Sequence, residues 1–278
     1  MRRPVLVLTA CLLLNGCGTK PQAADVLAEM TPAQPITVPA EVTAGRTPDE
    51  PPALPTKRVG LREWRAESRW NKDPVCLLAE LEEQDAALYG VTEYQNDAVL
   101  LRWGTSLAEF PWSLGGPMAV EPQLLCLDAD GDGGQELIVI NCAGSGTGVF
   151  LSELHVIEKN PDGTLTDNSL PRSAFDSLTE QLRAAELEGR TFAILGTDLV
   201  DITACLPENL DGVPTGLVAG SNINFEQTPQ GMEFWGGVWL DGEGVLPTAC
   251  YAADVRARVS YEDGAFTLSG FHLDGLTE

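Results

Sequence analysis

The chain has 278 residues, 44% of them hydrophobic and 21% charged, and a formal net charge of −24. Residues 59–278 hold 11 basic against 36 acidic side chains, a net of −25. A balance this acidic repels phosphate backbones and anionic lipid headgroups, which excludes nucleic acid as a partner and favours cations as ligands.

At the start, Arg2 and Arg3 precede an apolar run from Val5 to Leu14. That run is too short for a permanent membrane span, which needs roughly 20 residues. A positive start, a short apolar core and small residues after it describe a secretory signal. Leu14-Asn15-Gly16-Cys17 resembles the lipobox of bacterial lipoproteins, with Asn15 a less usual residue for its slot. The resemblance implies cleavage after Gly16, so that 1–16 is a signal peptide. It also implies a diacylglycerol on the Cys17 thiol and an anchor on the extracytoplasmic face of the cell membrane. A multiply acylated anchor of this kind is stable because each buried CH₂ contributes about 0.8 kcal/mol.

Eight prolines follow in residues 18–58, among them Pro48, Pro51, Pro52 and Pro55. Few large apolar side chains accompany them, so burial there does not offset the entropy of ordering the chain. Residues 17–58 are thus expected to be a lipidated Cys followed by a semi-stiff spacer. Residues 59–278 are expected to form one acidic globular domain, since no second linker interrupts them.

Residues 74–88 carry apolar side chains at 75, 77, 78, 81 and 88, a spacing compatible with a helical opening. Strand-like runs follow at Ala87–Val91, Ala98–Trp103, Gln123–Leu127, Glu136–Cys142 and Leu154–Glu158. Asn160-Pro-Asp-Gly163 reads as a tight turn, Pro presetting φ and Gly accepting a positive one. A helix is predicted from Ser173, with Phe175, Leu178, Leu182 and Ala185 on one face and Gly189 at its end. Strands resume at Thr191–Leu195, Leu199–Ala204, Gly216–Phe225 and Met232–Leu240. Val255–Tyr261 and Ala265–Phe271 alternate about Glu262-Asp263-Gly264, a hairpin signature. The pattern predicts α+β, mostly antiparallel β with one or two helices.

One stretch carries recognisable chemistry. Asp128-Ala-Asp130-Gly-Asp132-Gly133-Gly-Gln-Glu136 places acids at positions 1, 3, 5 and 9 around a Gly at 6. Calcium takes six to eight oxygens at about 2.3–2.6 Å, and such a loop gathers them. The predicted ligands are Asp128, Asp130, Asp132, the main-chain carbonyl of Gly134 and Glu136, with Ca2+ as the ion. An EF-hand does not fit, because Val139 stands where that loop needs a bidentate Glu and both flanks are strand sequences. The loop resembles the strand–loop–strand calcium sites of FG-GAP and VCBS-type repeats, here in one copy. A wider order is also present: Ala87-Leu-Tyr-Gly90, Val99–Trp103, the acidic loop, Gly144–Val149, Glu153-Leu-His-Val156 and the hairpin after Tyr251. It resembles a group of uncharacterised lipoproteins of anaerobic Gram-positive bacteria that carry one VCBS-like loop. The resemblance implies compartment and calcium, and no substrate.

Other signals point away from catalysis. Gly144-Ser-Gly-Thr-Gly148 lacks the Lys of a phosphate-binding loop and leads into a strand, so it is expected to be a turn or bulge. The two histidines, His155 and His272, sit in neither an HExxH motif nor reach of a nucleophile-elbow Ser. Cys76, Cys126, Cys142, Cys205 and Cys250 contain no CxxC pair and are odd in number; the buried free thiol is the favoured state. Trp235 and Trp239, four apart on a strand, share one face and form a candidate ligand surface, with core packing as the plainer reading. The sequence therefore points to a surface-anchored, calcium-stabilised binding or structural module that reaches an extracytoplasmic ligand or protein. The alternative is a glycan-directed hydrolase working with two carboxylates.

Overall fold

The computed structural model describes residues 28–68, 75–93, 96–115, 120–207, 216–241 and 250–276. The expected signal peptide, residues 1–16, and Cys17 lie outside the described residues. The Pro-rich stretch, expected to be a free spacer to residue 58, instead supplies two strands, β1 (Ile36–Pro39) and β2 (Glu41–Ala44). β1 pairs with residues 265–268 and β2 with residues 166–169. Pro35 and Pro39 do not prevent this. Both strands lie at the edges of their sheet, where a residue without an N–H costs no ladder bond. Just beyond, Arg46 and Glu109 exchange both backbone hydrogen bonds and form an ion pair at 2.8 Å. Gly45 fits there because a Cβ would fall 2.6 Å from the Ala108 Cβ. The folded body therefore takes in residues from Ala33 onward, well before residue 59.

Helix α1 (Leu61–Ser68) buries Leu61 and Trp64. Strands β3 (Val75–Leu81), β4 (Ala86–Glu93), β5 (Asn96–Trp103) and β6 (Ser106–Phe110) form an antiparallel meander. The helical opening expected over 74–88 is thus a strand. Val75 to Ala79 are all buried, so both faces of the strand need apolar side chains, and a helix-like spacing arose from that continuous run.

Next come β7 (Gln123–Leu127), β8 (Glu136–Gly146), β9 (Val149–Lys159) and β10 (Leu165–Ser169). Helix α2 covers Ser173–Gln181, with no side-chain cap bond, and ends eight residues before Gly189. From Leu182 the chain turns extended as β11 (Leu182–Leu187), paired with β12 (Arg190–Leu195) and then β13 (Asp198–Asp201). The apolar spacing of Leu182 is real, but it serves a buried strand position, so tertiary pairing overrides the helical period. The long strands β14 (Gly216–Thr228), β15 (Gly231–Asp241), β16 (Tyr251–Glu262) and β17 (Ala265–Gly275) complete the chain. The last two turn through Asp263 and Gly264, both at positive φ, as the hairpin signature predicts. The fold is α+β and overwhelmingly antiparallel.

The main sheet runs β1-β17-β16-β15-β14-β9-β10-β2, with β8 and β7 branching from β9. Because β1 and β2 are separated only by Ala40, one bent segment joins both edges, and the path of paired strands closes on itself. One face carries the largest core, with Phe234, Phe266, Val255 and Leu268 beside Phe175 and Leu178 of α2. The opposite face of β7–β10 packs against the β3–β6 sheet through Leu137, Val139, Ile157, Phe110 and Trp112.

The closed path has a fork. On one edge of β9, residues 155–159 pair with β10, whereas Phe150 and Leu151 pair in parallel with β14. Between them only Leu154 is engaged, its carbonyl accepting the Leu170 N–H at 3.0 Å. Helix α2 follows β10 directly and packs on β14 at this fork.

Candidate functional site

The acidic stretch forms the turn of the β7–β8 hairpin, where Leu127 pairs with Glu136. Asp128 accepts the Gly131 N–H at 2.7 Å and the Gly133 N–H at 3.2 Å. Gly131 and Gly133 stand at φ of 77° and 89°, a region open to glycine at low cost, so the chain reverses tightly around the Asp128 carboxylate. Glu136 reaches back across the hairpin and accepts the Ala129 N–H at 2.8 Å. Carboxylate oxygens of Asp128, Asp130 and Glu136 consequently lie within 4.8 Å of one another. Asp132, also expected as a ligand, accepts the Gly134 N–H at 2.6 Å and stands outside that trio. Gly134 packs against the same Asp132 carboxylate.

Glu136 is only 8% exposed, whereas Asp128 is open to solvent. Burial pushes the Glu136 carboxyl above its usual range; the Ala129 N–H opposes this, and the charges of Asp130, Asp132 and Asp128 add to the rise. A cation among the three acids removes that penalty, and a hard divalent ion matches an all-oxygen donor set. The sign of the metal-free pH dependence follows. With the folded value raised, the native state binds more protons than the unfolded one between about 4.3 and that raised value. This group's contribution to stability is therefore expected to fall as pH rises through the window. Glu136→Gln is expected to be more stable than wild type at pH 7 without metal, and the gap should close on acidification. A constant gap across the pH series in chemical denaturation would refute the assignment.

The tryptophan face is reorganised relative to expectation. Trp235 and Trp239 do share one face of β15, across Gly237, but Trp239 is 8% exposed and only Trp235 is half-buried. Trp239 packs tilted against Tyr251, ring centres 5.0 Å apart, and with Ser145, Gly148 and Phe150 lines a shallow recess of about 400 Å³. Of the Gly144–Gly148 segment, Gly144–Gly146 end β8 beyond a bulge after Cys142 and Thr147-Gly148 make the β8–β9 turn. The five described cysteines, Cys76, Cys126, Cys142, Cys205 and Cys250, are free thiols, and burial pushes Cys76 up to about 12.

A second constellation, absent from the sequence reading, is centred on His155 in β9. Its Nδ1 lies 3.0 Å from both carboxylate oxygens of Asp167 in β10. Asp167 also accepts the Trp112 indole N–H at 2.8 Å, and Trp112 stacks against His155 at 4.2 Å and against Phe110 at 4.6 Å. His155 and Asp167 are 3% and 2% exposed. Burial works against the imidazolium, but Asp167, seconded by Glu153, outweighs it and raises His155 to about 9. The ring is therefore cationic at neutral pH and both its nitrogens donate. Nε2 has no hydrogen-bond partner; the Glu153 carboxylate stands 3.6 Å away. His155, Asp167 and Glu153 line a cavity of about 330 Å³ at the β10–β14 fork. His272, by contrast, sits exposed between Asp198 and Asp274 and ties β17 to β13.

Among the described residues, no helix is long and apolar enough to cross a membrane. Comparison with protein families, with curated proteins and with solved structures finds no match.

Proposed function

We propose that this chain is a lipid-anchored extracytoplasmic protein whose folded domain is a binding module clipped by a calcium ion at the β7–β8 turn. The observation that carries the reading is the meeting of Asp128, Asp130 and the buried Glu136 within 4.8 Å at a hairpin tip. Three carboxylates so placed repel one another unless a cation lies between them. The lipobox resemblance at Leu14–Cys17 supports the anchor. A binding role is favoured over a purely structural one because the sheet forks around a cavity instead of packing shut.

The loop joins β7 to β8, and β8 contributes side chains to both cores. An ion there stabilises the junction between the two sheets. Extracellular modules bind calcium with Kd of about 10⁻⁴–10⁻³ M. At tenfold excess over Kd, binding to the native state alone adds about 1.4 kcal/mol. The expected result is a calcium-selective rise in Tm of the metal-stripped protein, with magnesium giving less. Asp130→Ala should abolish the rise while leaving the metal-free Tm nearly unchanged. An undiminished calcium response in that variant would sink the assignment.

A further inference from the structure

The cavity at the sheet fork has the charge layout of a zwitterion site. Its back wall is His155, held rigidly: Asp167 fixes Nδ1, the Trp112 indole fixes Asp167, and the stacked rings cover the imidazole face. That leaves Nε2 as a buried, unpartnered donor at the cavity wall. A buried polar group without a partner is costly, and native proteins keep few of them. Beside this donor, 3.6 Å away, lies the Glu153 carboxylate, on a half-exposed side chain. Arg172, at the start of α2, adds a second cation to the wall, and Glu41 of β2 a second carboxylate. Asp167 is occupied by His155 and Trp112, so the groups left to meet a ligand are the His155 Nε2–H and Arg172 as donors and Glu153 and Glu41 as acceptors.

We propose that this cavity binds a free α-amino acid with an apolar side chain. The ligand carboxylate takes the His155 Nε2–H and faces Arg172, and its ammonium faces Glu153 and Glu41. An α-amino acid carries its two charges on neighbouring atoms, as the wall does. Part of the remaining lining comes through the fork from the other face of the sheet, where Phe175, Ile223 and Phe225 offer an apolar floor to the side chain. A volume of about 330 Å³ stands at the small end of ligand sites, room for one amino acid and too little for a glycan chain. The inference rests on the binding-module reading but not on the metal loop.

The test is calorimetric titration of the calcium-loaded full-length protein with leucine and with phenylalanine, beside leucinamide and N-acetylleucine. Leucine or phenylalanine is expected to bind, and each blocked analogue at least about tenfold more weakly, because each leaves one side of the charge pattern at the wall unanswered. Glu153→Gln should weaken leucine about tenfold while leaving the Tm and its calcium response unchanged. Arg172→Gln should weaken leucine yet leave the already weak leucinamide unaffected. Absence of binding by both amino acids at millimolar concentration, or equal binding of the blocked analogues, overturns the ligand class. The calcium response of the same sample reports separately on the loop.

Discussion

Asp167→Ala is expected to destabilise the protein by about 3–5 kcal/mol, the usual cost of removing one partner from a buried ion pair. The substitution strips His155 of the carboxylate at 3.0 Å and leaves the Trp112 indole N–H without its acceptor, all at positions 5% exposed or less. A pH arm identifies the cause. A histidine whose folded value is raised contributes stability that is complete below about 6.5 and is lost as pH rises through the folded value, here about 9. Wild type should therefore lose stability between those limits. The groups facing the imidazole are Asp167, Glu153, Glu41 and Arg172, and only Asp167 makes a short contact with it. Asp167→Ala should show a flatter profile across the same window. A His155→Phe, Asp167→Leu double variant, which removes both charges, should recover much of the loss. Urea denaturation at pH 6 and pH 9.5 measures all of this. A cost under 1 kcal/mol, or parallel pH profiles, would show that the pair is not the buried ionic contact described.

That contact was half legible in the sequence. The Asn160–Gly163 turn fixes the register of the flanking strands, so His155 pairs with Ser169 and Ile157 with Asp167. His155 and Asp167 are then diagonal neighbours on one face, once the strand Leu165–Ser169, which the sequence did not signal, is in place. What it does not give is Trp112, which arrives from a segment 43 residues before His155 and on no shared strand. The acidic loop was legible because its geometry is local: Asp128, Asp130 and Glu136 converge through a single reversal. Asp132 was counted with them on spacing alone, and its turn toward the Gly134 N–H depends on torsions that spacing does not encode. The spacer was misjudged for the opposite reason. Proline content measures intrinsic preference, while β1 and β2 exist only because two distant sheet edges receive them. Helix α2 illustrates the same limit, since Leu182 satisfies a helical period and a buried strand position equally well.

Phe234→Ala is the other substitution expected to cost about 3–5 kcal/mol, the range for emptying a buried phenylalanine site. Phe234 is fully buried in β15 and lies 5.1 Å from Phe175 and 6.0 Å from Phe225. Its ring folds over Gly236, where a Cβ would fall 2.4 Å from it, so the surrounding backbone has little freedom to collapse into the space left behind. The cost is therefore expected near the upper part of the range, and Phe234→Leu should cost less because most of the volume remains. The substitution also reaches the fork without touching it. Phe175 and Phe225 form part of the cavity floor, and Phe234 supports both from beneath. Leucine affinity should then fall together with the unfolding midpoint, whereas Glu153→Gln lowers affinity alone. Urea unfolding and leucine titration on the two variants separate support of the floor from recognition at the wall. A Phe234→Ala protein that kept its wild-type midpoint would mean that the core of the closed sheet is not organised around this ring.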